Sequence, residues 1–149
     1  RPNPKAEITD EALAVAGVTR DQILAYPPME EIYHQFIDML AKYVDRYNKK
    51  DKFFLVGYNN ASFDNQFLRG WFLQNGDQYF GSWFWSNSID VMVMATPYLA
   101  ARRTEMKDFK QGTVAQTLGI QVEAEKLHDA LYDIEICKAI YDIVSPYKI

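Results

Sequence analysis

The run Phe53-Phe54-Leu55-Val56-Gly57-Tyr58 limits the fold more than any other stretch of this chain. It carries no charge and lies between a polar connector, Asn48 to Lys52, and the turn signal Asn59-Asn60. A short unbroken apolar run predicts a strand buried on both faces, because its side chains alternate and both sets need apolar cover. Such a strand asks for helices on either side of its sheet. The sequence has the patterns for them. Thr9 is placed to cap a helix ending at Ala16, with Gly17 as a left-handed stop. Thr19 and Gln22 have the spacing of a capping box for a short helix that stops at Pro27-Pro28. From Met29, Ile32, Phe36, Met39, Leu40, Tyr43, Val44 and Tyr47 recur at three- and four-residue intervals, predicting an amphipathic helix of about five turns.

Beyond the strand, Ser62 can cap a helix carrying Phe63, Phe67, Leu68, Trp71 and Phe72, closed by Asn75-Gly76-Asp77. Ile89-Asp90-Val91 reads as a strand end or a helix start. Val91 to Arg103 is predicted helical with a kink or restart at Pro97. Thr113 to Leu118 forms a short helix stopped by Gly119. The last helix reaches Val144 before Pro146 and is predicted to turn Ala130, Ile134, Cys137, Tyr141 and Val144 inward, with Leu131 and Ile140 flanking that face. Strands alternating with helices, without repeat or linker, predict one α/β domain over residues 1–149.

Composition narrows the function classes. At 149 residues and 48% hydrophobic, the chain has the material for a proper core. A net charge of −4 argues against a basic coat for duplex nucleic acid. It leaves room for a nuclease, since metal ions neutralise carboxylates that meet phosphates. Arg102, Arg103, Lys107 and Lys110 read as the only basic cluster of the chain. The single cysteine, Cys137, forms no internal disulfide, and no signal-peptide pattern or long apolar run is present. A cytoplasmic protein without membrane attachment is the expectation.

Two constellations can carry chemistry. Asp64 follows the predicted strand and its turn, at a helix start. The C-terminal ends of strands in open α/β sheets are where ligands bind, so Asp64 is placed to face a site. The alternative is an aspartate that only favours the helix dipole. The second constellation is His128-Asp129-Ala130-Leu131-Tyr132-Asp133. Five residues of helix turn through roughly 500 degrees, so His128 and Asp133 meet only if His128 lies in the loop or first turn. As an isolated pattern His128 also reads as a cap or a surface histidine. Asp133 lies beside the core-facing stripe, where a carboxylate needs a positive partner such as a metal ion.

In this order the segments resemble the DEDDh 3′-to-5′ exonucleases of the ribonuclease H-like superfamily, the type of the polymerase III proofreading subunit and ribonuclease T. Asn59/Asn60 through Phe63-Asp64 looks like the family's second motif, and His128, Ala130 and Asp133 meet its third. Ala16 to Thr19, Ile89-Asp90 and Thr113 to Ile120 are similar to further family segments. The resemblance runs from about Pro4 to Val144 and implies a three-layer mixed-sheet fold. It also implies two divalent ions, Mg²⁺ or Mn²⁺, about 4 Å apart, with Asp64 and Asp133 as two of four carboxylate ligands. His128 is the implied general base. The implied reaction releases nucleoside 5′-monophosphates from 3′ ends of single-stranded DNA or RNA, alone, with a DNA polymerase, or as a homodimer.

Asn60, Phe63, Arg102 and Arg103 are the candidate substrate contacts. The aromatics Trp83 to Trp85 read as core, or as a stacking surface for terminal bases. The family's opening strand with Asp-x-Glu has no counterpart here, since Asp10-Glu11 are adjacent acids in a helix start. The first strands, roughly 50 residues by ordinary strand and turn lengths, are therefore expected to be missing, and this chain is expected to hydrolyse poorly by itself. The rival reading is a non-catalytic nucleic-acid-binding or scaffold module that has lost the first motif, which the upstream coding sequence would distinguish.

Overall fold

The computed structural model describes residues 1–127 and 129–147. The described residues are mostly helical, with a small two-stranded parallel sheet. The order is α1 (Asp10–Ala16), α2 (Arg20–Ala25), α3 (Met29–Leu40), β1 (Val56–Gly57), α4 (Asp64–Gln74), α5 (Phe80–Trp83), β2 (Ile89–Asp90), α6 (Val91–Tyr98), α7 (Gln111–Thr117) and α8 (Ala130–Val144). Two 3₁₀ turns, Ala100–Glu105 and Ala124–Lys126, lie between the later helices. Contacts divide the chain into two compact units: Arg1–Phe53 with Arg69–Trp85, and Phe54–Leu68 with Ser86–Ile149.

The first unit begins with local chemistry that the sequence spells out. The Thr9 hydroxyl accepts from the Ala12 amide at 3.2 Å, and Gly17 ends α1 at φ 64°. The Thr19–Gln22 capping box forms in both directions, at 3.2 and 2.7 Å. Helix α3 is shorter than its pattern predicts. After Leu40 the amides of Lys42 and Tyr43 bond three residues back, to Met39 and Leu40. The Asp45 amide then donates to the Asp51 carboxylate at 2.9 Å, and Tyr47 to the Asp45 carboxylate at 3.0 Å. These side-chain acceptors compete with the helix for its backbone donors. Tyr43 and Tyr47, expected on the core face, are exposed.

The core of this unit is aromatic. Phe72 is fully buried and meets Tyr33 at 5.2 Å and 90°, Phe80 at 5.2 Å and 82°, and Phe84 at 6.1 Å and 76°. These near-perpendicular pairs set the positive edge of one ring against the negative face of another. Trp83 and Phe84 are buried here, so they are core residues and offer no stacking surface to terminal bases. Phe53 pairs with Phe84 through an isolated parallel bridge.

In the second unit the predicted strand is reduced to β1, paired in parallel with β2 in the register Val56↔Ile89 and Gly57↔Asp90. Phe54 and Val56 are exposed while Leu55 and Gly57 are partly covered, so the run is covered on one side only. That correction follows from a two-stranded sheet, which shields alternate side chains. Helices α6, α7 and α8 pack together over Val91, Ala95, Leu99, Val114, Ala115, Ile136, Cys137, Ile140 and Tyr141. The predicted helix Val91 to Arg103 stops at Tyr98, with Pro97 in its last turn, and the chain tightens to 3₁₀ from Ala100. Helix α8 presents Ile136, Cys137, Ile140 and Tyr141 inward, while Ile134 is 64% exposed. Its buried face is therefore rotated from the one expected.

Candidate active site

The described residues of the site belong to the second unit. The chain leaves β1 through Tyr58 and Asn59, and Asn59 has φ 59°, a left-handed turn that asparagine tolerates better than most residues. Its amide donates to Asp90 Oδ1 at 3.0 Å. The same oxygen accepts from the amides of Met92 at 3.0 Å and Val93 at 3.4 Å, capping α6. One carboxylate thus ties the turn after β1 to the end of β2 and the start of the next helix. The sequence reading placed Asp90 at a family position but missed this use. An aspartate directly before a helical apolar run was the available signal.

Asn60 sits under this turn at 3% exposure. Its backbone carbonyl accepts from Asn65 at 2.9 Å, and its Nδ2 reaches Asn65 Oδ1 at 3.4 Å. Its Oδ1 has no partner among the described residues. A Cβ on residue 57 would lie 2.7 Å from Asn60 Cβ, so glycine is required there for the turn to fold back. Asn60, expected as a substrate contact, is buried beneath the turn and holds it through Asn65. The turn delivers Asp64, exposed, to the first residue of α4. Phe63 and Phe67 beside it are 58% and 66% exposed, with ring centroids 4.8 Å apart.

Asp133 enters from α8. The helix is capped by Asp129, whose Oδ1 accepts from Leu131 and Tyr132, both at 3.0 Å. His128, one residue earlier, lies outside the described residues. Asp133 is in the first turn and partly buried. Its backbone carbonyl is held by Gln111 Nε2 at 2.7 Å, fixing the start of α8 against α7. Neither Asp64 nor Asp133 gives its carboxylate to a hydrogen bond or ion pair with another described residue.

Cys137 lies one turn beyond Asp133. Burial first, then the charges of Asp90 and Asp64, push its thiol up to about 11. Asp64 thus acts on the thiol of Cys137, a residue one turn along α8 from Asp133. Tyr58 is also pushed up, by burial first and by Asp90 and Asp108 next, and its hydroxyl donates to the Phe109 carbonyl at 2.6 Å. Among the described residues no three His, Cys, Asp or Glu side chains cluster as an ion site. The oxygen donors Asp64 and Asp133 are of the hard type that suits Mg²⁺ or Mn²⁺, and both are uncommitted within the described chain.

The two candidate arginines lie elsewhere in the unit. Arg102 donates to the Thr117 carbonyl at 2.7 Å and lies 3.8 Å from Glu105, while Arg103 stacks over Phe109 at 5.2 Å. Both side chains remain largely in solvent.

The family model of the RNase_T exonucleases matches residues 1–141. The chain belongs to the RNase_T exonuclease family. Asp64 and Asp133 both fall inside the matched span. Family membership implies a ribonuclease H-like fold and a nuclease acting on nucleic acid. A search of the curated proteins finds no match. No described helix is long and apolar enough to cross a membrane.

Proposed function

We propose that this chain is the exonuclease domain, over residues 1–149, of a metal-dependent enzyme that shortens single-stranded DNA or RNA from its 3′ end. The proposed domain is of the three-layer mixed-sheet type, with β1 and β2 as part of its sheet. The observation that carries the proposal is the match of the exonuclease family over residues 1–141, a span that holds both Asp64 and Asp133.

Asp64 and Asp133 are the residues that would hold divalent ions. Bound there, Mg²⁺ or Mn²⁺ supplies an activated water and neutralises charge on the departing 3′ oxygen. Asp90, Gly57 and Asn60 set the turn that presents Asp64, and Gln111 and Asp129 set the helix start that presents Asp133. His128 would take the proton of the attacking water, a task its near-neutral pKa class suits. The exposed pair Phe63 and Phe67 offers a ring face beside Asp64 for a terminal base, a contact tolerant of sequence. Arg102 and Arg103 retain donors toward backbone phosphates.

The test is Asp64→Asn and Asp133→Asn in the full-length protein, assayed with Mn²⁺ on a 5′-labelled single-stranded oligonucleotide. Each change preserves shape and removes charge. The expected loss exceeds the roughly 10–100-fold typical of changes that merely surround a metal ligand, with the circular-dichroism spectrum unchanged. Laddering at the wild-type rate by either variant refutes the assignment of that residue. Matched DNA and RNA oligomers then separate the two substrates.

A further inference from the structure

The first unit carries a surface that the exonuclease reading leaves unused. After α3 the segment 42–52 holds Lys42, Arg46, Lys49, Lys50 and Lys52 against Asp45 and Asp51 alone, in a chain whose net charge is −4. Both acids are engaged by the segment's own amides, as Asp45 accepts from Tyr47 and Asp51 from Asp45. None of the five cations forms an ion pair with a described carboxylate. This is a second basic cluster where only one was expected, and its local charge opposes that of the whole chain.

Aromatic rings are interleaved with it. The Arg46 guanidinium lies 5.6 Å from the Tyr47 ring, 5.7 Å from Tyr79 and 5.4 Å from Trp83. Trp83 is buried, and its Nε1–H has no acceptor among the described residues. With residues 41–47 it lines a surface concavity of about 480 Å³. Tyr43, Tyr47 and Tyr79 are 73%, 86% and 64% exposed, so packing does not account for them.

We propose that this patch in the first unit is an accessory binding surface for single-stranded nucleic acid, made of residues other than those of the carboxylate site. The choice of ligand rests on the exonuclease reading; the surface itself does not. A merely solvated basic face explains the lysines and leaves three exposed rings without a role. An acidic peptide meets the charge but has no use for flat ring faces. An anionic membrane favours a basic amphipathic helix with inserting apolar residues, whereas these rings are phenols around a turn. Single-stranded nucleic acid uses both features, since cations meet its phosphates and rings stack on its bases without regard to sequence. Arg46, already stacked on aromatic faces, has the planar group that takes part in both contacts.

The experiment uses the full-length protein in EDTA and a fluorescein-labelled oligothymidylate of about 15 nucleotides, near the upper site size of a single binding fold. Its 3′ end carries a blocking phosphate, and binding is read by anisotropy across a salt series. Tyr47→Ala is expected to weaken binding at least about fivefold, the low end of one lost base stack, and Tyr47→Phe to restore it. Lys49→Ala with Lys50→Ala should reduce the slope of log affinity against log salt by about 1.4, for two lost phosphate contacts on a single strand. All three positions are exposed, so folding is not at stake. Lys138→Ala, an exposed lysine on α8 outside the patch, should bind as wild type. Patch variants that bind like wild type overturn the proposal, as does a protein that binds phosphatidylserine vesicles but not the oligonucleotide. Equal weakening by Lys138→Ala and by the patch variants assigns the binding to bulk charge and also overturns it. Each result leaves the metal-dependent activity test independent.

Discussion

At the scale of single residues, Cys137 reports on the centre of the second unit. The thiolate is the reactive form of cysteine, and burial together with Asp90 and Asp64 pushes this thiol up to about 11. Native protein should therefore resist iodoacetamide at pH 8, while denatured protein is alkylated at an ordinary rate. Fast native alkylation would contradict the packing of α8. The sign of the pH dependence follows. The folded value lies above the ordinary one of about 8.5, so the contribution to stability is fully present below that pH and is lost as pH rises through about 11. Gly57 and Asn60 show how much of the site was legible here. The two asparagines and the Phe63-Asp64 pair could be read as a turn and a carboxylate. The 2.7 Å approach that requires glycine at residue 57 could not, because it depends on the turn already being closed.

At the scale of elements, caps were the most readable features and helix faces the least. Thr9, Thr19 and Gly17 act within three or four residues of themselves, so their partners are visible in the sequence. Helix α8 is different. Ala130, Leu131, Ile134, Ile136, Cys137, Ile140, Tyr141 and Val144 put apolar groups around much of its circumference. The 3.6-residue repeat then fits more than one phase. Packing on α6 and α7 selects the face holding Ile136 and Ile140 and leaves Leu131 and Ile134 in solvent. The start of α8 depends on Asp129, which satisfies two amides that would otherwise lack partners. Asp129→Ala should lower stability by about 1 kcal/mol, measured as a shift in the urea midpoint. An unchanged midpoint would show that the cap contributes nothing.

At the scale of the whole molecule, the two units have different cores. The first is built from rings meeting edge to face around Phe72, the second from aliphatic side chains between three helices. Phe72 is fully buried against several ring partners, so its removal leaves a cavity that neighbours cannot easily fill. Phe72→Ala should cost about 3–5 kcal/mol, read by denaturant unfolding and by loss of the near-ultraviolet aromatic signal. A cost below about 1 kcal/mol would mean that the ring network is not the support of this unit. The accessory surface belongs to the same unit, which is why its test relies on exposed tyrosines and lysines and leaves Trp83 intact.

The sequence by itself determined the caps, the left-handed stop at Gly17, the order of the family segments and the family they belong to. These depend on near neighbours or on a one-dimensional order, and both are written in the chain. Tertiary structure decided how β1 pairs with β2 and which face of α8 is buried. It also decided that Asp90 holds the Asn59 turn, and that Arg46 lies among Tyr47, Tyr79 and Trp83. These depend on partners tens of residues away, whose approach no local spacing specifies. For that reason Asp64, Asp133 and the Asn59-Asn60 turn could be named from sequence, while the contacts that hold them could be seen only in the folded chain.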